Sequence, residues 1–138
     1  MRVMVMVKAN DDTEAGVMPT AEELTAMGNF NEELVKAGVM LDGDGLHPSS
    51  KGVRIDYGEQ PSVTDGPFAE TKELIAGYWV LQVRDMDEAV EWLKRAPFSA
   101  NDTVEIRPFF EAEDFGDALT PEVKAQEDRL REQLGNDS

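Results

Sequence analysis

The sequence contains no cysteine and a single histidine, His47. The first absence excludes disulfides, thiolate metal sites and cysteine nucleophiles, so packing alone must hold the fold. Bases are scarce as well: 13 Lys and Arg stand against 29 Asp and Glu, a formal charge of −16. A surface so acidic repels phosphate backbones and anionic headgroups, which argues against nucleic acid and membrane as partners. The charge is heaviest near the end, where residues 111–138 hold nine acids and three bases. A solvated surface that favours solubility is the plainest account, ahead of a dedicated cation or basic-partner site, and a high-salt habitat would suit it as well. Long hydrophobic runs are missing too. "VMVMV", Val3 to Val7, lies between Arg2 and Lys8 and is too short for a signal core or a membrane span, so the expected location is the cytoplasm.

What is present suits one globular domain. A chain of 138 residues buries roughly two thirds of its unfolded surface, and 41% hydrophobic content excludes the low-apolar signature of disorder. Val3 to Val7 is apolar on both alternating faces, as a central strand is. Thr20 and Glu23 form a capping box behind Pro19, and Leu24, Met27, Phe30 and Leu34 recur at helical spacing until Gly38. Short β pieces follow: "VMLDG", "GVRIDY" with Val53, Ile55 and Tyr57 on one face and Arg54 and Asp56 on the other, and "SVTDG". "GYWVLQV", Gly77 to Val83, is a second central strand. Asp85 and Glu88 open a helix with Met86, Ala89, Val90 and Leu93 on one face, which Pro97 stops. "TVEIRPFF" is a last strand, with Pro108 suited to an edge.

This order predicts an α+β fold: a ferredoxin-like split β-α-β protomer with an inserted β-rich segment. Two helices cover one sheet face, and the apolar residues of the other require a cover. A second copy of the chain is the economical one, giving a homodimer that closes into a dimeric α+β barrel. A domain over residues 1–119 is followed by a helical extension over 120–138, in which Thr120 caps, Pro121 opens, and Val123, Leu130 and Leu134 make a thin stripe. That stripe either clasps a partner or belongs to a frayed tail.

Chemistry is sparse. His47, in "GLHPSSKG", is the one side chain whose ordinary pKa lies near neutrality, hence a candidate proton carrier, although a loop histidine is more often merely exposed. Asp65 precedes Gly66-Pro67. Its carboxylate caps the turn through backbone N–H groups, or the rigid turn holds it at a pocket mouth as a catalytic group. Phe68, Tyr78 and Trp79 are core or pocket wall. Lys72, beside Glu70, and Arg107 are candidate substrate-binding cations, with surface ion pairing the alternative. "DGDG" at 42–45 is no calcium loop, because Leu46 and Val53 occupy positions that need oxygen ligands. Phosphate-loop, zinc-protease and nucleophile-elbow motifs are absent from the sequence, and no cofactor or metal is expected.

"VTDGPFAETKELIAGYWVLQV", "AGVMLDGDGLHPSSKGVRI", "MDEAVEWLKRAP" and "VEIRPFFEAEDFGDALTPE" together resemble the DGPF branch of the YCII-related proteins, from the first strand to about Glu122. The resemblance implies a dimeric α+β barrel of ferredoxin-like protomers. It also implies, for some members, a His–Asp pair in the dimer cleft for hydrolytic or dehydrochlorinase-type elimination. That family His lies near the start of the first helix, where this chain has "PTAEEL". Relatives found beside or fused to extracytoplasmic-function sigma factors suggest an accessory or sensing role instead. Two functions are therefore expected: proton-transfer chemistry on a small, partly aromatic molecule, or binding of a metabolite or protein without turnover.

Overall fold

The structure is a computed structural model that describes residues 1–135; the end of the expected extension, residues 136–138, lies outside it. The chain divides into two compact units, Met1–Pro108 and a second beginning at Phe109. It is a mixed α+β protein. In the first unit β1 (Arg2–Lys8) leads through a single helical turn, α1 (Asp11–Glu14), to α2 (Ala21–Lys36) and β2 (Met40–Gly45). Then come β3 (Val53–Asp56), β4 (Ser62–Asp65), β5 (Ile75–Gln82), α3 (Met86–Lys94) and β6 (Val104–Pro108).

Four strands form an antiparallel sheet in the order β2-β5-β1-β6. β1 and β5 are central, as their apolar runs predict, and the proline-ended β6 lies on an edge. The β-rich segment splits. β2 joins the main sheet beside β5, while β3 and β4 pair with each other as a separate two-stranded sheet.

Period-two alternation assigns the two faces. Val3 and Val5 are fully buried beside Trp79 and Leu81, and these pack against Phe30 and Leu34 of α2 and Ala89 and Leu93 of α3. Each such side chain contributes about 1.5–3 kcal/mol on leaving water. Trp79 is the centre of an aromatic group, edge-on to Phe30 at 5.9 Å and to Phe98 at 6.0 Å, and its indole N–H donates to Asn31 Oδ1 at 2.9 Å. Gly43 faces it from β2 because a Cβ there would lie 2.8 Å from Trp79 Cδ1.

The helix ends follow their signals. Thr20 accepts from the Glu23 backbone N–H and Asp85 from that of Glu88, and Gly38 takes the left-handed conformation, φ 72°, that stops α2. Two expected core positions are corrected. Leu24 is 59% exposed and Val90 is 37% exposed, because the buried stripe of α2 begins only at Met27 and that of α3 runs through Ala89 and Leu93.

The second unit carries a 3-10 stretch, Ala112–Ala118, where the Phe110 and Phe115 rings stand 5.1 Å apart. It continues into α4 (Pro121–Gln133), capped by Thr120. Val123, Leu130 and Leu134 are exposed. Among the described residues no helix is long and apolar enough to cross a membrane.

Candidate functional site

The sheet face opposite the helices carries the other half of each strand's alternation. The register lines up Asp42, Val80, Met4 and Arg107 in one row across β2, β5, β1 and β6, and Asp44, Tyr78, Met6 and Glu105 in the next. Met4, Met6, Tyr78 and Val80 are half-buried and lie outside the core cluster. They form an apolar bed whose ends are charged.

Tyr78 is the titratable group on this bed. Its hydroxyl donates to Asp42 Oδ2 at 3.4 Å, and Asp42 Oδ1 accepts the Gly43 backbone N–H at 2.8 Å. The negative charge of Asp42, then partial burial, then Asp44 and the hydrogen bond to Asp42 raise the Tyr78 pKa above that of an ordinary phenol. The phenol thus stays a proton donor further into the alkaline range. In a Tyr57→Phe background, which leaves Tyr78 as the only tyrosine of the two in the chain, Asp42→Asn is expected to move the tyrosinate absorbance midpoint to lower pH. An unmoved midpoint would remove Asp42 as the cause.

The Asp65–Phe68 turn is a second focus. Three loops meet there. The Gly66 N–H donates to the Gly52 carbonyl at 2.9 Å, and the Phe68 N–H donates to Ser49 Oγ at 3.0 Å. Ser49 in turn donates its backbone N–H at 2.9 Å, and its hydroxyl, to the carboxylate of Glu14 at the end of α1. On the other side the Arg54 guanidinium stands 4.0 Å from the centre of the Phe68 ring. The turn is therefore held by Ser49, Gly52 and Glu14. The expectation that the Asp65 carboxylate caps it is corrected: that side chain is exposed and, among the described residues, makes no hydrogen bond.

The residues expected at the site are dispersed. Asp65 ends β4 opposite Val53, exposed; His47 is exposed in the loop after β2; Lys72 is exposed on a 3-10 turn. Neither His47 nor Lys72 has a side-chain hydrogen bond or ion pair among the described residues. Phe68 is half-buried in the turn. Tyr78 and Arg107 share the sheet face opposite α2 and α3, whereas Trp79, the next residue after Tyr78, points to the opposite side and is 5% exposed in the core. One pocket wall does not contain both aromatics, because adjacent strand residues face opposite ways.

Asp42 and Asp44 are additions. Their period-two spacing in "MLDGDG" already places both on one face of a strand, and that signal is readable in the sequence. Glu14 and Ser49, 35 residues apart, carry no such signal. Among the described residues no group of three or more His, Asp or Glu side chains is arranged to hold a metal ion.

A YCII-related domain model matches residues 1–113. The chain belongs to the YCII-related family. The match takes in the sheet face opposite α2 and α3, the Asp65–Phe68 turn and the start of the second unit, so every site residue discussed here falls within it. No curated protein matches the chain. A solved structure, the 5-chloro-2-hydroxyhydroquinone dehydrochlorinase of Burkholderia phenoliruptrix AC1100 in complex with 2,5-dihydroxybenzoquinone, is similar at a TM-score of 0.48 and 10% identity, over 83% of this chain and 98% of that one.

Proposed function

We propose that this YCII-related chain, of the DGPF branch, is a cytoplasmic homodimer of ferredoxin-like protomers whose sheets face each other as a dimeric α+β barrel. Its cleft takes a small, partly aromatic molecule for proton-transfer chemistry of the hydrolytic or elimination type. The strand order supports the protomer reading: β1 and β2 are parallel with β5 between them, β5 and β6 are parallel with β1 between them, and a helix bridges each pair.

The hydrogen-bonded Tyr78–Asp42 pair, beside an apolar bed on the face free of core helices, is the observation that carries the chemistry. The single Tyr78 O–H, held by Asp42 in the free site, turns to a substrate oxygen as charge develops on it, and the released Asp42 carboxylate accepts a substrate O–H. Arg107 sits at the far end of the Asp42 row, three strand spacings or about 14 Å away, and balances negative charge on the same molecule. A flat ring on Met4 and Val80 would bridge the two ends. His47, Asp65, Phe68 and Lys72 enter at the rim.

The alternative is binding without turnover, in an accessory or sensing role. The exposure of Asp65 and of His47, with no hydrogen bond joining them to a dyad, favours it.

A thermal-shift screen of small metabolites separates the readings. A ligand at about a hundred times its Kd stabilises by about 2.7 kcal/mol, a rise in Tm on the order of 10 °C for a domain of this size. The expected hit loses most of its shift in Asp42→Asn and Tyr78→Phe, and mass spectrometry then shows conversion. A hit bound equally well by both variants would move the site elsewhere; a hit that is bound at this site but never converted would establish the sensing role.

A further inference from the structure

The β3–β4 hairpin is bare in an isolated protomer, with every residue of both strands exposed. Its register, Val53 opposite Asp65 and Ile55 opposite Val63, places these four residues on one face, and Arg54 with Thr64 on the other. On the polar side Arg54 stands over the Phe68 ring of its own chain. The apolar side is turned out: Val53 is 58% exposed, Ile55 48% and Val63 65%, with Tyr57 just beyond the strand end. A two-stranded ribbon is at best marginally stable alone, and an apolar ribbon facing water invites pairing with another surface. Yet its base is firmly tied, through Gly66 to Gly52 and through Phe68 to Ser49 and Glu14. A fixed arm with a bare apolar face is built to meet something in a defined position.

We propose that this arm closes over the sheet face of a second copy, so that Val53, Ile55 and Asp65 of one chain complete the cleft around Tyr78 of the other. The inference rests on the homodimer proposed above. Area selects the second copy as occupant. Four strands about 4.8 Å apart and some six residues long present a footprint of roughly 400 Å². A stable interface takes about 800 Å² per partner. The sheet face alone falls short, and the arm, exchanged reciprocally about a two-fold axis, supplies buried surface twice. It also resolves the placement of Asp65, which shares the outward face and is exposed in its own protomer: the carboxylate is delivered to the neighbouring cleft.

The absence of cysteine makes the test clean. Ile55→Cys introduces a single thiol at an exposed site, which is labelled with a benzophenone maleimide. Labelled 15N chains are refolded with unlabelled 14N chains, irradiated, and digested for mass spectrometry. The expected adducts join the 15N hairpin to 14N peptides from residues 2–8 or 75–82. Sedimentation in parallel is expected to give a dimer, and Val53→Asp combined with Val63→Asp is expected to raise its dissociation constant at least tenfold with an unchanged circular-dichroism spectrum. A dimer whose adducts stay within one isotope, or whose dissociation constant ignores the double substitution, would overturn the arm while leaving the dimer in place. A monomer in sedimentation would overturn both.

Discussion

Trp79→Ala is expected to destabilise the protein by about 3–5 kcal/mol, the range for removing a large aromatic from a packed core. The indole is 5% exposed, and its two edge-on contacts, with Phe30 and Phe98, are worth about 0.5–1.5 kcal/mol each beyond their buried area. Collapse of the cavity is opposed from three sides: α2 supplies Phe30, the segment after α3 supplies Phe98, and Gly43 on β2 has no side chain to move in. Urea denaturation of both proteins, compared at constant m, reads the loss. Trp79→Phe separates the parts. It keeps most of the ring packing and removes the donor to Asn31, so a loss of about 1–2 kcal/mol is expected. A loss below 1 kcal/mol for Trp79→Ala would mean that this residue is not the centre of the core.

Trp79 also shows why part of the site was legible and part was not. Alternation in "GYWVLQV" and "VMVMV" is a local signal, and it identifies β1 and β5 as central strands with two apolar faces. Once the register is known, the same alternation separates Tyr78 from Trp79, but a sequence does not say which face the helices take. The capping residues Thr20 and Asp85 and the stop at Gly38 act within a few residues of chain, so those helix ends read correctly. Leu24 and Val90 misled because they sit at the margins of helical stripes, where a few degrees of rotation decide between core and water. The β-rich segment is legible as strands, but that β2 leaves it to become the second partner of β5 depends on pairing between residues more than 30 apart, whereas β3 and β4 pair locally as a hairpin. In the sequence Asp42 belongs only to a "DGDG" stretch that fails as a calcium loop; its partner in the fold is Tyr78, 36 positions on. The Ser49 and Glu14 supports of the turn are likewise contacts of distant loops. Asp65, by contrast, stands out in sequence beside Gly-Pro, and the structure leaves it exposed at the end of β4.

Gly66→Ala is the sharper test of the turn, because here the conflict is with backbone. A Cβ on residue 66 would stand 1.8 Å from the Ser49 carbonyl oxygen and 2.7 Å from its carbon, distances that no rotamer change relieves. Either the 49–52 loop or the turn must move. Movement breaks the Gly66 N–H bond to Gly52 and carries Phe68 away from Ser49 Oγ, which leaves Glu14 without its bridge to the turn. The expected cost is about 2–4 kcal/mol, from overpacking together with lost hydrogen bonds. Gly28→Ala is the control: residue 28 lies inside α2 with nothing within 4 Å of its Cβ, so this substitution is expected to be neutral or to stabilise by about 0.5–1 kcal/mol. Because the turn anchors β4 and the main core lies elsewhere, the damage is expected to be uneven. Amide exchange at Arg54 and Thr64, the pair that alternation from the Gly66–Gly52 bond makes hydrogen-bonded, should accelerate far more than at Val5 or Leu81, whose environment is untouched. Equal acceleration at all four amides would show that the hairpin and the core unfold as one unit, and an unchanged hairpin would mean that Gly66 is tolerated for some reason other than the close approach of Ser49.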